Sequence, residues 1–253
     1  GRPPRAQMRA MILAAGQGTR LRPLTDSRPK ALVEVAGTPI LEIVILRLKA
    51  HGVREVVINL HHKGEMISEF LKSRGDFGLD IAYSKEEVLL ETGGGLKKAA
   101  SLLGKEDFFL HNVDVVSTVD LGALYRAHQA SRALATLSVR KRDSSRQLIF
   151  DRDGLLRGRK AVGQLPAWAG APAEGALELA FDGIHAVSPA IFELMTETGA
   201  FPITGTYLRL AGEGPPIRAI RSDGSVWAEI GNTEKLEAAA KLVQSKGLPA
   251  FTG

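Results

Sequence analysis

Leu13-Ala14-Ala15-Gly16-Gln17-Gly18-Thr19-Arg20-Leu21-Arg22-Pro23-Leu24-Thr25, closed by Pro29-Lys30-Ala31-Leu32-Val33, decides the fold. An apolar run, Ala10 to Ala14, stops at a glycine-rich turn that leads to Arg20 and then to Lys30. Glycine there lets a phosphate approach the backbone without meeting a Cβ. Two cations beyond it suit phosphoryl transfer, which depends chiefly on positioning and charge stabilisation. The dinucleotide fingerprint is excluded, because Leu21 stands where its third glycine or alanine would fall. The P-loop is excluded too, since no Gly-Lys-Ser/Thr follows at the required spacing. A lone Gly-x-Gly after a strand is also an ordinary turn, so the whole string carries the argument.

Working outward, Thr38-Pro39 reads as an N-cap and a proline at the first helical position. Leu41, Val44, Ile45 and Leu48 then recur with helical spacing. Strands are predicted over Glu55 to Leu60, Asp80 to Ser84 and Phe108 to Leu110, with helices over Gly64 to Arg74 and Thr92 to Leu103. This alternation predicts an α/β fold: three-layer α/β/α, Rossmann-like, around a mostly parallel mixed sheet. Ligands then bind outside the carboxyl ends of the strands, where Gly16 and Asp114 both fall.

The second half is less regular. Leu121 to Ser131 and Pro189 to Thr196 read as helices, and Ala133 to Val139, Phe181 to Val187 and Ile217 to Arg221 as strands. Asp153-Gly154 marks a hairpin between Gln147 to Asp151 and Leu155 to Arg159, and Val162 to Gly175 reads as a mobile loop. A last helix carries Leu236, Ala239, Ala240 and Val243 on one face.

The 253 residues, 44% of them hydrophobic, suffice for one sizeable domain, expected over residues 8–253. Residues 1–7, rich in Pro and Arg ahead of Met8, read as a tag remnant or an arm. No cysteine is present, which excludes a disulfide framework and thiolate chemistry. No apolar segment is long enough to span a bilayer and no secretory pattern is visible, so a cytoplasmic protein without a membrane partner is expected. The net charge of +5 is scattered; its densest cluster, Arg140-Lys141-Arg142 with Arg146, has no interleaved aromatics and reads as a solvated strand end rather than a nucleic-acid site.

Three further stretches carry chemistry. Asp114 ends an apolar strand, where it can hold Mg²⁺ against nucleotide phosphates or cap the next segment; Asp120 is better placed for that cap. Glu229, between Trp227 and Gly231, can complete a metal site or simply favour the dipole of the helix that follows. Glu91-Thr92-Gly93-Gly94-Gly95-Leu96 opens a helix, either as a flexible turn or as a surface whose free N–H groups meet a base or sugar.

The string from Gly16 through Arg20 and Pro23-Leu24-Thr25 to Lys30 resembles the signature of the sugar-1-phosphate nucleotidyltransferases, and the resemblance extends over Met8 to Gly247. It is nearest to the compact N-acetylmuramate-1-phosphate uridylyltransferase and mannose-1-phosphate guanylyltransferase types. The resemblance implies an enzyme that transfers a nucleotidyl group from an NTP, UTP or GTP, to a sugar-1-phosphate, with Mg²⁺ as cofactor. It places the nucleotide at Leu13, Ala14, Gly16, Gly18, Thr19, Arg20, Thr92, Gly93 and Gly94, and the metal at Asp114 and Glu229. Arg20, Lys30 and Asp114 become the catalytic residues, and Asp182 and Gly183 line the sugar pocket. Lys160 stands in for a Glu-Lys-Pro lysine that this chain lacks.

Two other departures stand out. Val113 replaces a glycine before the metal Asp, so a different backbone is expected there, and Glu229 replaces an Asp. No acyltransferase extension follows Gly247, so a monofunctional enzyme is expected, as monomer or homodimer. Two rivals remain: a cytidylyltransferase for an amino-alcohol phosphate, with Trp168 facing the cation, and a non-catalytic NDP-sugar sensor.

Overall fold

The computed structural model describes residues 8–253, so the expectation for residues 1–7 lies outside it. β1 (Met8–Leu13) is followed by a 3-10 turn over Thr19–Leu21, the short α1 (Leu24–Ser27) and a small hairpin of β2 (Glu34–Val35) and β3 (Thr38–Pro39). Then α2 (Ile40–Ala50), β4 (Val53–Leu60), α3 (Gly64–Ser73), β5 (Asp80–Lys85), α4 (Glu91–Lys98) and β6 (Phe108–Asn112) alternate. Next come β7 (Val115–Ser117), α5 (Leu121–Ser131), β8 (Ala135–Arg140), β9 (Arg146–Phe150), β10 (Leu156–Ala161), β11 (Ala167–Trp168) and β12 (Leu177–Val187). The chain closes through α6 (Ile191–Leu194), α7 (Ile203–Glu213), β13 (Ile217–Arg221), β14 (Trp227–Glu229), α8 (Thr233–Lys246) and α9 (Pro249–Thr252).

Ten strands form one mixed sheet in the order β11-β10-β9-β12-β6-β1-β4-β5, with β8 paired to β12 and β13 to β8. β1 is central and parallel to both β4 and β6, so their carboxyl ends open on one edge. Successive β1 side chains enter opposite faces. Ala10 and Ile12 join the α2 side with Leu41 and Val44, whereas Met11 and Leu13 join the α4 and α7 side with Leu96 and Tyr207. Helices thus cover both faces, which is why Ala10 to Leu13 of β1 and Val56 to Ile58 of β4 are continuous apolar runs.

Some local expectations are corrected. Thr38 and Pro39 pair with Val35 and Glu34, which holds them extended; α2 starts at Ile40, and Thr38 makes no side-chain cap. α4 stops at Lys98 and tightens into a 3-10 turn over Ala100–Leu102. The helix expected over Pro189 to Thr196 is a single turn, and the expected loop from Val162 contains β11, paired to β10. α7 was not foreseen, because Thr204, Gly205 and Gly212 are poor helix formers; burial of Ile203, Tyr207 and Leu210 on one face outweighs that propensity. α5 spans Leu121–Ser131 as expected, and Asp120 Oδ1 accepts from the Ala123 N–H at 2.8 Å.

Candidate active site

The glycine-rich loop leaves the carboxyl end of β1. Gly18 has φ 64°, and a Cβ there would sit 2.8 Å from Thr25 Cγ2 and 3.1 Å from Lys30 Cβ. The Thr25 hydroxyl donates to the Gly18 carbonyl at 2.7 Å and fixes the loop against α1. At Gly16 a Cβ would meet nothing nearer than Lys30 Cδ, at 3.9 Å, so its open side faces a cavity.

Lys30 reaches across to β6. Its Nζ donates to Asp114 Oδ2 at 2.6 Å, with the side chains 16% and 20% exposed. Asp114 follows β6, where Val113 donates its N–H to the Leu13 carbonyl at 3.1 Å. Val113 does not adopt a positive φ, in keeping with its β-branched side chain, which is buried in the core.

β14 pairs antiparallel with β7, setting Glu229 opposite Val115, and the Ile230 N–H donates to the Asp114 carbonyl at 3.0 Å. Two carboxylates distant in sequence thus lie on adjoining segments. Glu229 is paired with Lys235, which α8 presents from its first turn; Asn232 Oδ1 caps that turn by accepting from the Lys235 N–H at 2.9 Å. A Cβ on Gly231 would lie 3.5 Å from both Arg20 Nη2 and Glu229 Oε2, so Arg20 reaches the same place. Arg20, Lys30, Asp114 and Glu229 therefore gather at one edge of the sheet.

Two cavities meet there. One, of about 410 Å³, is bordered by Leu13, Gly16, Lys30, Asn59, Thr92 and Asp114. The other, of about 740 Å³, is bordered by Arg142, Gln147, Glu229 and Lys235; Arg146 borders both.

The triple glycine does something other than expected. The N–H groups of Gly93 and Gly94 donate to the Phe201 carbonyl at 2.8 and 3.2 Å. A Cβ on Gly93 would lie 2.4 Å from the Phe201 ring, and one on Gly94 would lie 2.4 Å from the Gly199 carbonyl oxygen. These glycines serve close packing, and neither lines the cavity. Thr92 does line it, while its hydroxyl oxygen accepts from the Ile203 N–H at 2.9 Å.

The sugar-pocket expectations are corrected in part. Asp182 is fully buried: Arg140 Nε donates to its Oδ1 at 2.7 Å, and the hydroxyls of Ser138 and Ser222 donate to its Oδ2 at 2.7 and 2.5 Å. Its acceptors are occupied, so the carboxylate is a core ion pair rather than a ligand group. A bulge between Phe181 and His185 turns it inward. Gly183 sits at that bulge with φ 74°, and a Cβ there would come 2.7 Å from Asn112 Nδ2, beside the site. Lys160, on β10, donates to Glu178 Oε1 at 3.0 Å and borders neither cavity.

The basic cluster is a solvated strand end only in part: Lys141 and Arg146 are exposed, but Arg140 and Arg142 are not. Arg140 is buried, and the Arg142 guanidinium lies 4.0 Å from the Trp227 ring centroid while donating to the Phe181 carbonyl at 3.1 Å. Burial lowers the Arg142 pKa, opposed by the charges of Asp182 and Glu229. Trp168 borders neither cavity, which removes the aromatic face that an amino-alcohol cation would need.

The nucleotidyl transferase family profile matches residues 9–148. The chain is 35% identical over 251 residues to the N-acetylmuramate alpha-1-phosphate uridylyltransferase of Caulobacter vibrioides, covering 93% of this chain and 97% of that protein. This chain belongs to the sugar-1-phosphate nucleotidyltransferase family. It is also 37% identical over 133 residues to the mannose-1-phosphate guanylyltransferase of Mycobacterium tuberculosis, covering 53% of this chain and 37% of that one. A putative glucose-1-phosphate thymidylyltransferase from Bacillus anthracis superposes with a TM-score of 0.78 at 19% identity, over 94% of this chain and 95% of that one, and shares the fold. The enzyme accordingly transfers a nucleotidyl group from an NTP to a sugar-1-phosphate, yielding an NDP-sugar and pyrophosphate.

Sequence reasoning missed two residues of the nucleotidyltransferase that brace this edge. The Ala14 N–H donates to Asn59 Oδ1 at 2.7 Å, Asn59 Nδ2 donates to Glu86 Oε2 at 2.7 Å, and Glu86 Oε1 accepts from the Leu90 N–H at 3.0 Å. Asn59 gave the same signal as Asp114, a polar residue ending an apolar strand; Glu86 gave none. Among the described residues, no helix of the enzyme is long and apolar enough to cross a membrane.

Proposed function

We propose that the enzyme is a uridylyltransferase for N-acetylmuramate 1-phosphate or a closely similar sugar-1-phosphate. The match to a uridylyltransferase of that printed specificity over 97% of its length carries this reading. The guanylyltransferase resemblance covers only 37% of its relative.

The residues support an in-line displacement. The acceptor phosphate oxygen attacks the α-phosphorus, the bond to the bridging oxygen breaks, and pyrophosphate leaves. No covalent enzyme intermediate is needed, since a phosphate monoester is already anionic at neutral pH. Lys30 stabilises charge on the α-phosphate, and Arg20 with the Gly16 to Thr19 backbone holds the departing pyrophosphate. Asp114 and Glu229 offer only oxygen donors, and among the described residues no group of three or more metal-ligating side chains occurs. That set fits Mg²⁺, which takes one or two carboxylates and completes its shell with substrate phosphates and water. Bound there, it would supply charge neutralisation of the phosphates.

The test is pyrophosphate release across four NTPs and a panel of sugar-1-phosphates, with Mg²⁺ and with EDTA. Metal-dependent release for UTP with N-acetylmuramate 1-phosphate is expected. Preference for GTP and mannose 1-phosphate would refute the substrate assignment. No release with any pair, from protein that still binds an NDP-sugar, would favour a sensor.

A further inference from the structure

Of the arginines in the 140–146 cluster, two are committed to protein partners: Arg140 to Asp182, and Arg142 to Trp227 and the Phe181 carbonyl. Arg146 differs. It opens β9 with its side chain exposed, and its guanidinium has no ion-pair or hydrogen-bond partner among the described residues. It is also the side chain that borders both the cavity of Lys30 and Asp114 and the wider cavity of Arg142, Glu229 and Lys235.

The reaction brings a second phosphate dianion beside a triphosphate, and that anion needs a cation of its own. Lys30 already faces Asp114, and Arg20 lies beside Glu229 and Gly231. The lysine expected from sequence, Lys160, is paired with Glu178 away from both cavities. We infer that Arg146 binds the phosphate of the incoming sugar-1-phosphate at the junction of the two cavities, while the wider cavity takes the sugar. A guanidinium suits this role because its planar fork meets two phosphate oxygens at once, which holds the attacking oxygen in one orientation. This assignment deepens the proposed function and rests on it.

The test compares wild type with Arg146→Ala, Arg146→Lys and Lys160→Ala, measuring KM for acceptor and for nucleotide separately, with thermal melts as a folding control. Losing a charge-assisted contact should raise the acceptor KM of Arg146→Ala about 10- to 100-fold. The nucleotide KM and the melting temperature should hold. Arg146→Lys should recover part of the loss, and Lys160→Ala should behave as wild type. An unchanged acceptor KM in Arg146→Ala, an equal rise in nucleotide KM, or the same defect in Lys160→Ala would overturn the assignment while the wild-type activity stood. A wild type silent with every substrate pair would instead overturn the proposed function, and the Arg146 assignment with it.

Discussion

Lys30 Nζ stands 2.6 Å from Asp114 Oδ2, joining the loop after β1 to the end of β6 before any nucleotide arrives. The cation proposed to meet phosphate and the carboxylate proposed to hold the metal thus fix one another in place. Lys30→Ala and Asp114→Ala should each lower kcat by roughly 10²–10³-fold with little change in melting temperature. The double variant should lose less than the product of the two single losses, because each single change already leaves its partner unpaired. Steady-state kinetics on the three proteins checks this.

Glu229→Gln keeps the shape of the side chain and removes its charge. Its ion pair with Lys235 is lost, and so is the negative charge proposed to face the metal ion. The Mg²⁺ concentration for half-maximal turnover should rise, while Lys235→Met should leave that concentration unchanged or lower it. A magnesium titration of both variants separates the roles.

Asp182→Ala should fail in a different way. It strips the counter-charge from a buried guanidinium, which costs about 3–5 kcal/mol in comparable pairs. The melting temperature should fall sharply, and at a temperature where the variant stays folded its acceptor KM should match wild type. A raised KM in folded protein would return Asp182 to the sugar pocket.

Gly93→Ala tests the packing role of the triple glycine. The added methyl would lie 2.4 Å from the Phe201 ring. Overpacking of this kind typically costs about 1–3 kcal/mol. Phe201→Ala removes a core side chain and should itself destabilise, but combined with Gly93→Ala the total loss should be smaller than the sum of the two single losses, which denaturant unfolding would measure.

Acid should weaken the fold through His185. Burial, with a smaller contribution from His111, lowers its pKa from 6.5 to about 3, and its Nδ1 lies 2.7 Å from the Tyr207 hydroxyl. Between those values the unfolded chain binds the extra proton. The stabilisation is therefore complete above pH 6.5 and is lost as pH falls toward 3. Urea unfolding at pH 7 and pH 5 should show the decline, and the His185 imidazole signals should stay unprotonated at pH 5. Titration of that ring near its ordinary value would contradict this.

The parallel half of the sheet was legible because β1, β4 and β6 are largely buried and α2 and α3 carry apolar residues at helical spacing. Gly16 and Asp114 could be placed at strand ends from the apolar runs that precede them, and Arg20 and Lys30 on the loop beyond Gly16. The failures share a cause. Asp182, Lys160 and the 140–142 arginines lie in the antiparallel half, where a bulge and strand register decide which side of the sheet a residue faces. One residue of slip reverses that direction, and composition gives no hint of it. α7 was hidden by tertiary contacts that outweigh local preference, and Gly93 and Gly94 by a partner segment more than a hundred residues away.

The segment from Leu89 to Gly95 therefore contains two kinds of position under different packing constraints. Gly93, Gly94 and Gly95 are fixed by neighbours that leave no volume for a methyl group. Leu89 and Glu91 border the cavity, and neither is part of the buried core. Substitutions at Leu89 and Glu91 can accordingly change what the cavity accepts at little cost to the fold, whereas a side chain at any of the three glycines would disrupt the packing of α4.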